Sequence, residues 1–147
     1  MQVKRAEQVP IQIKVKTMIQ NEEETQSFEL TTFGQYYQKD QSYYLQYEEV
    51  LEEGTIKTIV KVTEGAALIL RTGAIQMRLP FKLKQRLRGS YETPYGTLDT
   101  TTYTKQLEHS LAQENNEGSV DIIYDLAIHG SIAGIYHINI TFKEENE

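Results

Sequence analysis

Apolar and polar residues alternate along most of this chain, and short groups of turn-forming residues break the alternation repeatedly. Val9, Ile11, Ile13, Val15 and Thr17 fall on one side of a period-two pattern, with Gln12, Lys14 and Lys16 on the other. A helix would spread these residues around its circumference, whereas a strand places them on opposite faces. The same phase recurs at Ile56, Thr58, Val60 and Val62, and again at Val120, Ile122, Tyr124, Leu126 and Ile128. A last run carries Ile132, Tyr136, Ile138, Ile140 and Phe142. Between such runs lie "QNEEE" at 20–24, "EEG" at 52–54, "EG" at 64–65, Gly73, "NNEG" at 115–118 and "HGS" at 129–131. Gly34 stands where a bulge or bend suits a curved sheet.

The pattern predicts an all-β chain of eight to ten strands. Connections this short force neighbours in sequence to pair antiparallel, which produces an up-and-down meander. An open meander exposes two edges and a closed one exposes none, so a barrel is the expected architecture and a two-sheet sandwich the alternative. At 104–114 the residues Tyr103, Leu107 and Leu111 recur every four positions, a helical spacing. The threonines before them favour a long strand ending in a loose turn over a short helix.

A length of 147 residues fits a single domain spanning 1–147, with the barrel over about 9–143. Hydrophobic residues make up 39% of the chain, enough for a core and too many for a disordered segment. There is no cysteine, which excludes disulfides and thiolate chemistry. The opening "MQVKRAEQVPIQIKV" has no apolar signal core, and no run is long enough for a spanning helix, so the expected location is cytoplasmic, without membrane association. The formal charge of −6 comes from 15 basic and 21 acidic residues, an excess that argues against nucleic acid as a partner.

Three blocks carry a family resemblance: "TIVKVTEGAALILRTGAIQM" (58–77), "YETPYGTLDTTT" (91–102) and "IIYDLAI" (122–128). With them the chain resembles the YwiB-like family of small bacterial proteins of unassigned function, over about residues 9–143. The resemblance implies a calycin-type, lipocalin-like antiparallel barrel and implies no activity. The chain has no tryptophan, so the Gly-x-Trp element of true lipocalins is missing and lipocalin ligands do not transfer.

Motifs for catalysis are absent: there is no G-x-S-x-G elbow, no P-loop, no G-x-G-x-x-G and no H-E-x-x-H. The acidic groups "NEEE" and "EEVLEE" read as solvated turns rather than acid–base pairs. His109, His129 and His137 have no acidic residue at a ligand-like spacing, so no metal site and no cofactor is expected. The expectation is a non-enzymatic protein. Arg71 shares its face with Ala67 and Ile69, and an inward arginine needs a carboxylate or an anionic ligand beside it. It is therefore either the anchor for a small anionic or amphipathic molecule or a strand-end residue paired with a nearby glutamate. Arg78, Tyr91, Tyr95 and Tyr124 complete the candidate ligand-binding set, with Tyr91 and Tyr95 at a barrel rim where Pro94 breaks the ladder and Gly96 permits a turn.

A second candidate lies in "FKLKQRLRGSY", where Lys82, Lys84, Arg86 and Arg88 alternate with other residues. Read as one strand, it would present a basic stripe for RNA, an anionic partner protein or a second subunit of a homodimer. The plainer reading is an outward face made basic to blunt an edge.

Overall fold

The computed structural model describes residues 7–145, and the described residues contain strands and turns but no helix. Ten strands follow one another: β1 (Val9–Gln20), β2 (Thr25–Lys39), β3 (Ser42–Leu51), β4 (Gly54–Thr63), β5 (Ala66–Gly73), β6 (Gln76–Lys82), β7 (Arg86–Thr93), β8 (Gly96–Ala112), β9 (Glu117–Ile128) and β10 (Ser131–Glu144). Each pairs antiparallel with the next, and β10 returns to β1 with Ile13 opposite Phe142 and Val15 opposite Ile140. The result is a closed meander barrel. Closure follows from the chemistry of the strands: their apolar faces need cover, and bending the sheet onto itself buries them while pairing the outer strands.

The interior takes one residue in two from each strand. Ile11, Ile13, Leu45, Val60, Val62 and Ile122 are fully or almost fully buried. Alternate residues such as Lys14, Lys16 and Lys61 lie on the outer face. Odd-numbered turns, from β1–β2 to β9–β10, gather at one end of the barrel, here termed the mouth, and even-numbered turns gather at the other. That other end is plugged by rings. Tyr36 stacks on Phe142 at 5.6 Å, Tyr43 leans on Tyr36 at 6.0 Å, and His109 meets Tyr43 edge-on at 6.0 Å.

Two bulges change the phase of the alternation. In β8 the register slips between Thr104 and Gln106, so Thr100, Thr102 and Thr104 point inward, and Leu107 and Leu111 pack against the core after the slip. The four-residue spacing of Tyr103, Leu107 and Leu111 is thus a bulged strand, not a helical stripe, and 104–112 is strand throughout. In β10 the slip between Ile132 and Gly134 leaves Ile132 89% exposed, which corrects its expected place in line with Tyr136 and Ile138.

Two neighbouring pairs are only partly joined. β6 and β7 pair only from Gln76 to Arg78, and β2 and β3 only from Gly34 to Lys39. At Gly34 a Cβ would collide with the Gln46 carbonyl, so only glycine lets β2 come this close to β3 where the two strands begin to part.

Candidate functional site

Mouthward of the ring plug, the interior contains a cavity of about 600 Å3. Its walls are built from the inward phase of several strands: Val15, Ile69, Leu79, Leu126 and Ile138 supply an apolar lining. Such a volume lies within the range of small-molecule pockets. The polar groups gather on one side, where β3, β4 and β5 run side by side.

Arg71 is on the inward face of β5, opposite Thr58 on β4, and its guanidinium reaches beyond β4 to Glu49 on β3. Arg71 Nη2 donates to Glu49 Oε1 at 3.2 Å, and both side chains are roughly seven-tenths buried. Tyr47 lies two residues before Glu49 on the same face and Tyr124 faces it from β9. Burial pushes both phenols above their ordinary pKa, and the Arg71 charge opposes the shift at each, which places the cation within electrostatic reach of both rings. Tyr124 packs on Phe81 at 4.7 Å and stacks on Tyr136 at 5.4 Å, forming a wall of rings. Between Arg71 and Tyr47, the buried Thr58 hydroxyl lies beside the Tyr47 phenol, and their contact opposes part of the burial-driven rise in the Tyr47 pKa. With Glu49 and the phenol of Tyr47 it makes this side of the cavity wall polar.

The sequence candidates separate into two groups. Arg71, Tyr91 and Tyr124 all line the cavity. Arg78 does not: it pairs with outward-facing Leu70, is exposed, and so cannot face the same side as Arg71. Tyr95 is 99% exposed at the tip of the β7–β8 turn, which Thr93 ties by accepting from Tyr95 N at 3.1 Å and donating to Gly96 O at 2.8 Å. Tyr95 therefore belongs to the rim and not the lining, while Gly96 takes the φ of +132° that the turn requires.

The basic segment is not one strand. Lys82 ends β6, Lys84 adopts a left-handed φ of +61° in the turn, and Arg86 and Arg88 begin β7. A left-handed residue cannot continue the pleat, so the four charges do not form a single stripe, although all four are exposed. Arg86 instead lies over the Tyr103 ring at 5.8 Å. The histidines also diverge: His109 is at the plugged end, His129 in a turn, and His137 on the outer wall against Asp121. Among the described residues, no group of three or more His, Cys, Asp or Glu is placed to hold a metal ion.

Sequence reasoning missed Glu49. It was assigned with its neighbours to an acidic turn, yet it is the fourth member of the inward set Tyr43, Leu45, Tyr47, Glu49. Extending the period-two phase of β3 by one step would have found it.

Comparison with known proteins agrees with the fold and assigns no activity. A family model described as a domain of unknown function, DUF1934, matches residues 13–140. The chain is 32% identical over 137 residues to the uncharacterized beta-barrel protein YwiB of Bacillus subtilis (strain 168), covering 93% of this chain and 95% of that protein. Its structure is similar to the crystal structure of ywiB protein from Bacillus subtilis, with a TM-score of 0.86, 32% sequence identity and 96% of each chain covered. No helix among the described residues is long and apolar enough to cross a membrane.

Proposed function

This chain belongs to the DUF1934 family of unknown function, and on that premise we propose that it is a non-enzymatic binding protein whose lumen holds a small amphipathic molecule with an acidic head. The observation that carries the reading is the largely buried Arg71, paired with Glu49, on the wall of a cavity lined mainly by apolar and aromatic side chains.

A guanidinium offers five N–H donors, and the pair with Glu49 uses one of them. The remaining donors are free to fork onto a carboxylate or phosphate while Glu49 keeps the cation oriented. Thr58 and the phenols of Tyr47 and Tyr124 add hydrogen-bonding capacity around the same point. The apolar wall of Ile69, Leu79, Leu126 and Ile138 then takes a hydrocarbon tail.

Straight-chain carboxylates below their micelle concentration test this reading, with the alcohol of equal length as control. By calorimetry the acid is expected to bind about tenfold tighter than the alcohol, and Arg71→Met is expected to erase the difference. Equal affinity of the wild-type protein for acid and alcohol, or no binding of either, would overturn it.

A further inference from the structure

The two incompletely joined places in the barrel wall are finished differently. Where β6 leaves β7, the gap is stitched to β8: Thr102 Oγ1 donates to the Pro80 carbonyl at 2.6 Å, and Lys84 N donates to the Thr104 carbonyl at 2.8 Å. Where β2 leaves β3, nothing equivalent exists among the described residues. From Thr25 to Phe33, β2 is bonded on one side to β1 and on the other to no strand. From Glu48 to Leu51, β3 is bonded only to β4. Among the described residues, no hydrogen bond joins the two strands on the mouth side of Gly34.

Each edge therefore turns alternate N–H and C=O groups toward the gap without a strand partner. Free edges are usually blunted by lysine, proline or a bulge, and Thr25–Phe33 has none of these. Its one charged residue is Glu29. Apolar side chains beside the gap are exposed, Phe28 at 55%, Phe33 at 58% and Val50 at 81%. Phe28 is on the inward phase of β2, opposite Thr17, so its exposure reflects the missing wall.

The surrounding charge is acidic. The turns at 22–24 and 52–53 contribute five glutamates, and Glu29, Glu48 and Glu49 add three more. Five cations lie among them: Lys14 opposite Thr31, Lys16 beside Glu29 at 3.5 Å, Arg71 beside Glu49 at 3.2 Å, Lys57 opposite Glu48 in the ladder, and Arg86 near Glu22 and Glu23, so acid remains in excess.

We propose that the free edge of β2 between Thr25 and Phe33 is a docking site for an extended, lysine- or arginine-bearing segment of another protein, which joins the sheet as an added strand. Main-chain bonds to β2 would supply affinity; outward basic and apolar side chains of the added strand would meet Glu29, Glu48, Phe33 and Val50, and an inward one would meet Phe28. A second copy of this chain fits poorly, because pairing β2 with β2 brings two such acidic borders together. Phe28, Glu29 and Glu49 line the cavity as well as the gap, so the docking site borders the lumen, but strand addition at β2 does not require a ligand there.

The test uses the full chain and three synthetic peptides: alternating lysine and valine, alternating glutamate and valine, and the lysine peptide with alternate backbone nitrogens methylated. By fluorescence anisotropy at low salt, the lysine peptide is expected to bind about tenfold tighter than either other peptide, and to protect the amides of 25–33 from hydrogen exchange. Failure of the lysine peptide to bind, equal binding of the methylated peptide, or protection elsewhere would overturn the proposal. So would a dimer of the chain in sedimentation with 25–33 already protected.

Discussion

The two ends of the barrel interior are built from the same alternation and do opposite things with it. At the plugged end, Ile11, Ile13, Leu45, Val62 and Val120 fill the space around Tyr36, Tyr43 and Phe142, and the walls meet. Toward the mouth the strands present Ile69, Leu79 and Leu126 to a void, along with the Arg71–Glu49 ion pair. The difference shows that an inward phase is not the same as a packed core. What fills the plugged end is aromatic volume from β2, β3 and β10, where β2 and β3 are paired. Toward the mouth that pairing ends, and the rings of Tyr124 and Tyr136 line the cavity wall.

Truncations at the two ends test the contrast most strongly. Leu45→Ala is expected to cost about 2–5 kcal/mol in urea unfolding, because close packing leaves a new cavity behind. Leu79→Ala should fall at or below the low end of that range, since its side chain already borders empty space and gives up fewer contacts. Equal losses would mean that the lumen is as well packed as the plug.

Alkaline titration sharpens the comparison at smaller scale. Burial raises the phenol pKa of Tyr43 at the plug and of Tyr47, Tyr124 and Tyr136 at the cavity. A group whose folded pKa lies above its unfolded value contributes stability below the unfolded pKa and loses it as pH rises through the folded one. Stability should therefore fall from about pH 10 upward, and both Tyr43→Phe and Tyr124→Phe should flatten that fall. A lumen open to water would leave the Tyr124 variant with the wild-type slope.

The smallest effect belongs to the outer wall, away from both ends. Burial alone would raise the pKa of Asp121, but hydrogen bonds from Asn139, His137 and Gln106 outweigh it and hold the carboxyl below its ordinary value. Its contribution is present above the unfolded pKa and is lost as pH falls through the folded one. Asp121→Asn should therefore reduce the acid sensitivity of unfolding below about pH 4 without altering peptide or carboxylate binding. An unchanged acid limb would show that this cluster adds nothing.

Much of this molecule is legible in the chain because strand alternation is a local property. The faces of β1, β4 and β9 follow from residues two apart, and turn residues place the hairpins; antiparallel order then follows from short connections. Arg71 could be put on its inward face by the same rule. The misreadings differ in cause: Glu49 was lost by ending the unbroken phase of β3 one step early, whereas others turn on a local break of phase. The bulge in β10 shifts the alternation by one residue and misplaced Ile132, while the bulge in β8 accounts for the helical spacing near Leu107 inside a segment that the threonines already marked as strand. The left-handed Lys84 broke a stripe that alternation alone made continuous.

By itself the sequence determined the all-β class, the meander and the identity of most inward residues, since these depend on neighbours along the chain. Only the tertiary structure decided that Glu49 meets Arg71, because their meeting spans three strands and depends on the register across β4. It likewise decided that the lumen is hollow toward the mouth and that β2 leaves β3 at Gly34. Register, closure and strand divergence are set by the summed packing of all ten strands, and no window of residues contains that sum.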